Sequence, residues 1–219
     1  STLPGSRRSK SEAKTTLARR KVLRLSIAAR IDAIGVAVGV KKQTAKPNHL
    51  RPPGALPAGE FESACARCFK CGSACPNGCI KYYGLGDGLG RAFTPYITPR
   101  DRACTLCGEC ANVCPSGALK PFGSTREEWR ANVDMGTAQV SKGQCYSFNG
   151  RTCGACYRAC PLAGEAIKIG LLETPHVQAD ACVGCGLCEQ ACLHLPQAIR
   201  VIPRETRDRT LPGEGPEVS

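Results

Sequence analysis

Sixteen of the chain's 17 cysteines fall into four spaced groups. The first is Cys65, Cys68, Cys71 and Cys75, with Pro76 after it. The second is Cys104, Cys107, Cys110 and Cys114, with Pro115 after it. The third is Cys145, Cys153, Cys156 and Cys160, followed by Pro161. The fourth is Cys182, Cys185, Cys188 and Cys192, followed by Leu193. Groups one, two and four share one spacing, C-x-x-C-x-x-C-x-x-x-C, and group three has its first cysteine set back by a longer loop. This is the run that ligates [4Fe–4S] clusters in bacterial ferredoxins. Three thiolates two residues apart wrap one face of a cube. The fourth is expected to open a short helix and to reach a second cluster. Small residues among the ligands, such as Ala66, Gly108, Gly154, Gly184 and Gly186, let backbone N–H groups approach the sulfurs.

The competing chemistries fit less well. Structural zinc takes two C-x-x-C pairs about 15–20 residues apart. A disulfide scaffold needs no repeated spacing, and an odd cysteine count cannot pair completely. Each group supplies four ligands, so no iron keeps an open catalytic position. The sixteen grouped cysteines are therefore expected to be the iron ligands of four [4Fe–4S] clusters. Two pairings remain open: groups one with two and three with four, or two with three enclosed by one with four. No Ser/His/Asp set, carboxylate pair or Gly-rich phosphate loop stands out, so no catalytic residue of the chain's own is expected. The ungrouped Cys79 reads as a small buried thiol, with a redox or partner-linking role as the alternative. His194 reads as a surface histidine, or as a neighbour of the fourth cluster. His49 and His176 carry no clear signal.

Short elements must position these loops. Segments 79–83, 117–120, 165–169 and 197–202 follow the four groups and look like strands. Segments 94–98, 137–140 and 174–177 precede groups two, three and four and look like their returning partners. Ser124 with Glu127, or Thr125 with Glu128, makes a capping box before a helix that carries Trp129 as a packing residue. The expected fold is α+β and loop-rich: two ferredoxin-like 2[4Fe–4S] modules of short strands and helices, with a basic N-terminal arm. With 24 Gly, 16 Pro and 5% aromatics, a large aromatic-rich core is excluded. No run of 18 uncharged apolar residues marks a transmembrane helix.

The charge is divided unevenly. The formal total is +12. Residues 1–51 hold 13 Lys and Arg against two acids, and the remainder hold 17 against 16. Three regions follow: a basic arm over 1–50, a polyferredoxin body over 51–203, and a tail over 204–219 expected to be disordered. In the arm, Arg19-Arg20-Lys21 resembles a twin-arginine export signal, with 25–40 as its apolar stretch. If retained, Leu23, Ile27, Ile31, Ile34 and Val38 share one helical face, as in a basic amphipathic helix on an anionic membrane or a partner. A solvated basic tail is the third reading. Nucleic-acid binding is not expected, because no aromatics interleave and no recognition motif accompanies the charge.

The body resembles the NapG/MauM family of ferredoxin-type proteins. The resemblance rests on the linker Leu50-Arg-Pro-Pro-Gly-Ala-Leu-Pro57, on Cys104 to Leu119, on the long third motif Cys145 to Leu162, and on Cys182 to Cys188 with Ala198 to Pro203. Group two departs from the family's usual second motif, which has two extra residues before its third cysteine. The resemblance implies a periplasmic electron carrier with four clusters. It implies a membrane iron–sulfur, quinol-oxidising partner and a downstream periplasmic redox protein. Attachment to the cytoplasmic face of the membrane is the alternative location. A structural or maturation subunit of a larger respiratory complex is the alternative role.

Overall fold

Three two-stranded antiparallel sheets carry the cysteine loops in the computed structural model, which describes residues 49–203. The basic arm and the C-terminal tail lie outside the described residues. Strand β1 (Ile80–Tyr82) pairs with β2 (Pro95–Ile97). Strand β3 (Gly136–Val140) pairs with β6 (Ile199–Pro203), and β4 (Ile167–Ile169) pairs with β5 (Pro175–Val177). Residues 84–92, between β1 and β2, belong to a separate small unit with one 3-10 turn at Leu85–Asp87. The helices are short: α1 (Glu60–Ala64), α2 (Lys70–Ser73), α3 (Glu109–Asn112), α4 (Arg126–Asn132), α5 (Ala155–Ala159) and α6 (Leu187–Gln190). No helix of the described residues is long and apolar enough to cross a membrane.

The strand plan differs from the sequence expectation in two places. Segment 117–120 forms no strand: Leu119 makes an isolated antiparallel bridge to Ala55 in the Pro-rich linker. Lys120 N–H donates to the Gly54 carbonyl at 2.8 Å, and Leu56 N–H to the Ala118 carbonyl at 3.1 Å. The pairing stops there because Pro52, Pro53 and Pro57 have no N–H to give. Segment 137–140 does form a strand, but it pairs with β6 rather than returning to 117–120. The halves 49–132 and 133–203 thus share one plan, an inner hairpin and an outer pair that joins the segment before the first cysteine group to the segment after the second.

The outer pairs approach so closely that each needs a glycine. A Cβ at Gly54 (φ +73°) would lie 2.3 Å from the Lys120 carbonyl oxygen. A Cβ at Gly136 (φ +152°) would lie 2.2 Å from that of Ile202. Leu50, Ile97, Leu106, Leu162, Ile167 and Val201 form the most deeply buried aliphatic core. Helix α4 begins as expected, with Thr125 Oγ1 accepting from Glu128 N–H at 3.2 Å and the Glu128 carboxylate returning to Thr125 N–H. Trp129 is half-buried against the core.

Polar contacts join the two halves. Arg100 Nη1 donates to the carbonyls of Glu189 (3.4 Å), Gln190 (3.2 Å) and Cys192 (3.0 Å), which closes the C-terminal end of α6. Ala103 N–H donates to Gln190 Oε1 at 3.2 Å, and Cys104 N–H to the Cys185 carbonyl at 3.0 Å.

Candidate functional site

Four partly open cavities hold the sixteen grouped cysteines. The first, about 360 Å³, is lined by Cys65, Cys68, Cys71 and Cys114. The second, about 280 Å³, is lined by Cys104, Cys107, Cys110 and Cys75. The third, about 370 Å³, is lined by Cys145, Cys153, Cys156 and Cys192. The fourth, about 330 Å³, is lined by Cys182, Cys185, Cys188 and Cys160. Each set takes three cysteines from one group and the last cysteine of the partner group. The geometry pairs group one with two and group three with four; it does not bring groups two and three together. The second and fourth sets adjoin through the Cys104 to Cys185 backbone bond.

Local backbone explains how three cysteines of a group converge. Arg67 (φ 53°) and Phe69 (φ 62°) flank Cys68 in left-handed conformations, as do Leu106 (φ 61°) and Gly108 (φ 78°) around Cys107. Such reversals turn successive N–H groups into one concavity that favours anionic sulfur. Leu106 N–H donates to Cys104 Sγ at 3.4 Å, and Ala138 N–H to Cys182 Sγ at 3.5 Å. Composition could not show that Arg67, Phe69 and Leu106 take these conformations, because they are not residues that favour positive φ. The helix expectation needs correction. Helices α2, α3, α5 and α6 contain the third cysteine of each group, and the fourth follows the helix rather than opening it. Cys71 and Cys75 would share a face in a continuous helix. The chain leaves α2 after Ser73, which frees Cys75 to reach the neighbouring cavity.

The thiols suit a cationic group. Burial, then the nearby Cys107, pushes the Cys110 thiol up to about 12. Burial pushes Cys185 up to about 12 and Cys156 to about 11, and raises Cys188 well above the ordinary thiol. Protonated thiols are poor iron ligands, so loading must release protons from these sites. A [4Fe–4S] group fits this donor set: all-cysteine, four to a cavity, with N–H groups aimed at sulfur. A single zinc ion would need sulfurs about 3.8 Å apart, given Zn–S bonds of about 2.3 Å. Among the described residues no three His, Cys, Asp or Glu side chains make such a single-ion site.

Three further residues meet these cavities. Cys79 is 3% exposed, as a buried thiol was expected to be, but it lines the second cavity, with its Sγ 3.5 Å from Cys75 Sγ. A hydrogen bond with Cys104 draws Cys79 down to about 7, and the same contact, together with burial, raises Cys104. Tyr82 lies beside the first cavity: its hydroxyl donates to the Phe69 carbonyl at 2.8 Å, accepts from Gly72 N–H at 2.9 Å, and lies 3.7 Å from Cys71 Sγ. His194 is half-buried and lines the third cavity, with Nδ1 2.7 Å from the Pro196 carbonyl. It was expected at the surface or beside the fourth cluster. The crossing of Cys192 carries it to the third set.

Fold and site together define an iron–sulfur protein of the ferredoxin type. The 4Fe-4S dicluster domain family matches residues 64–118 and 103–164. The chain is 41% identical over 208 residues to the ferredoxin-type protein NapG of Escherichia coli, covering 87% of this chain and 88% of that one. It is 39% identical over 195 residues to the methylamine utilization ferredoxin-type protein MauM of Methylophilus methylotrophus, covering 85% of each. With MauM of Paracoccus denitrificans the identity is 36% over 214 residues, covering 89% of this chain and 93% of the relative. The chain belongs to the NapG/MauM family of ferredoxin-type proteins, and its role is iron–sulfur electron transfer. The second dicluster match spans groups two and three in sequence, whereas the cavities pair three with four.

Proposed function

We propose that the chain is a four-cluster electron carrier that relays electrons from a membrane quinol-oxidising iron–sulfur partner to a periplasmic oxidoreductase. The observation that carries this reading is the crossed cysteine set in each of the four cavities. In this reading all sixteen lining cysteines of the four groups are iron ligands, and residues 51–203 form two 2[4Fe–4S] modules. A bound [4Fe–4S] group supplies one-electron exchange, with a potential set by hydrogen bonds, burial and charge. The chain's part is to hold four such groups in a fixed order. The Cys104 to Cys185 bond supports the order first, second, fourth, third, with the first and third cavities as the two ends. Burial leans the same way: Cys104, Cys110, Cys185 and Cys188 of the inner sets are buried although Cys107 is exposed, whereas Cys156 alone is buried in the two end sets.

The basic arm, over 1–50, acts in this reading as an export signal, or as a cationic handle on a membrane or partner. Each oxidised cube with four thiolates carries about −2, which leaves residues 52–219, at +1 without clusters, near −7 beside a cationic arm. Anaerobic iron and sulfide analysis of the purified full chain, with EPR of the reduced form, tests the cluster count. About 16 Fe per chain is expected for four cubes, and about 8 would remove two of them. Clusters that are reduced by the quinol-oxidising partner support the carrier. Clusters that hold one oxidation state throughout turnover would assign the chain a structural or maturation role.

A further inference from the structure

The set-back first cysteine of group three creates a loop with no counterpart in the other groups, and that loop buries a hydroxyl. Ser147 is 2% exposed, and its Oγ has no hydrogen-bond partner among the described residues. It lines the third cavity together with Cys145, Cys153, Cys156 and Cys192. A buried hydroxyl left unpaired loses its hydration with nothing in return, so this one calls for a partner that is not part of the chain. The loop is wired to hold it there. Ser147–Asn149 form a 3-10 turn, and Asn149 Nδ2 donates to the carbonyls of Lys142 (3.1 Å), Gly143 (3.2 Å) and Cys145 (2.8 Å). Arg151 N–H closes the turn on the Tyr146 carbonyl at 3.0 Å. Three carbonyls held by one amide fix the backbone on both sides of Ser147.

We propose that Ser147 donates a hydrogen bond to a sulfur of the [4Fe–4S] group bound in the third cavity, and thereby raises the reduction potential of that group. The inference rests on the four-cluster reading. Taking up one electron adds one negative charge, shared by the sulfurs; the hydroxyl keeps its proton, and no bond is made or broken. A donor aimed at sulfur favours the more negative, reduced form. Ser147 is a positioning and tuning residue, not a ligand.

The test compares the loaded full chain with Ser147→Ala and Ser147→Thr, by iron and sulfide analysis and an EPR-monitored titration with dithionite. In Ser147→Ala the iron content is expected to match the parent, and one midpoint potential is expected to fall while the others stay in place. Ser147→Thr keeps the hydroxyl and is expected to restore that midpoint. Four unchanged midpoints in Ser147→Ala would overturn the proposal. So would a loss of about four Fe in either variant, which would make Ser147 part of the cluster's attachment. The parent's own iron count reports separately on the four-cluster reading.

Discussion

In the first half of the body, two hydrogen bonds between Gly54–Leu56 and Ala118–Lys120 close the outer strand pair. In the second half, the same closure is a five-residue ladder from Gly136–Pro203 to Val140–Ile199. The prolines of the linker explain the difference, since each removes a donor that a longer ladder would need. A second contrast lies one residue after the third cysteine of groups two and four. Ala111 occupies it in the first half and is buried without polar atoms in its side chain. Glu189 occupies it in the second, is 2% exposed, and accepts the Val201 N–H at 2.7 Å. The second half therefore uses a buried carboxylate to satisfy a strand N–H. One chain topology can thus be closed by two hydrogen bonds beside a Pro-rich linker or by a five-residue ladder and a buried acid.

The largest expected effect comes from breaking the crossed sets. Cys68→Ser and Cys114→Ser are expected to remove the same cluster, each costing about four Fe, and the double variant should lose no more. Cys68→Ser with Cys75→Ser should lose about eight, because these neighbours in sequence line different cavities. Iron analysis with EPR decides it. A loss of about four Fe from Cys68→Ser/Cys75→Ser would break the pairing.

Next come the two glycines of the outer pairs. Gly54→Ala and Gly136→Ala each force a Cβ onto a carbonyl at positive φ, a strain of about 1–3 kcal/mol before any steric overlap. Thermal unfolding followed by cluster absorbance should show the larger drop at Gly136, where the five-residue ladder is at stake. Equal drops would mean that the ladder adds nothing to the closure.

A smaller effect is expected at the joint between the halves. Arg100→Ala removes a donor shared by three carbonyls, at a cost of about 1–3 kcal/mol. A single thermal transition in the parent should broaden or split in the variant. An unchanged melt would show that the halves are held by other contacts.

The smallest effect concerns pH. Burial holds the Glu189 carboxyl above its ordinary range, against the Val201 N–H, which lowers it. A carboxyl raised in the folded state contributes most below its unfolded value of about 4.3, and that contribution is lost as pH rises through the folded value. Glu189→Gln keeps an acceptor for Val201 N–H but cannot ionise. Its stability relative to the parent should therefore improve as pH rises from about 4 to 7. A pH-independent difference between the two melting curves would count against a raised carboxyl.

Much of the site was legible because cysteine spacing is a local property. The cysteine groups and their boundaries follow from intervals of three or four residues, with one longer loop in group three, and the inner strands from short apolar runs that flank the groups. The segment after group two was misread because its partner is the linker, more than 60 residues earlier in the chain. Ser147 went unnoticed for a similar reason: a serine in a long loop gives no sign of burial until the loop closes over a cavity. His194 reached the third set only because Cys192 crosses.

Local spacing was enough to point to the chemistry, sixteen cysteines in four groups and one left over, because that spacing is set by the few residues between them. Tertiary structure decided which group pairs with which, where Cys79 and Ser147 face, and which two cavities adjoin. Those outcomes depend on contacts between segments far apart in the chain, whose strand pairing and packing no local spacing encodes.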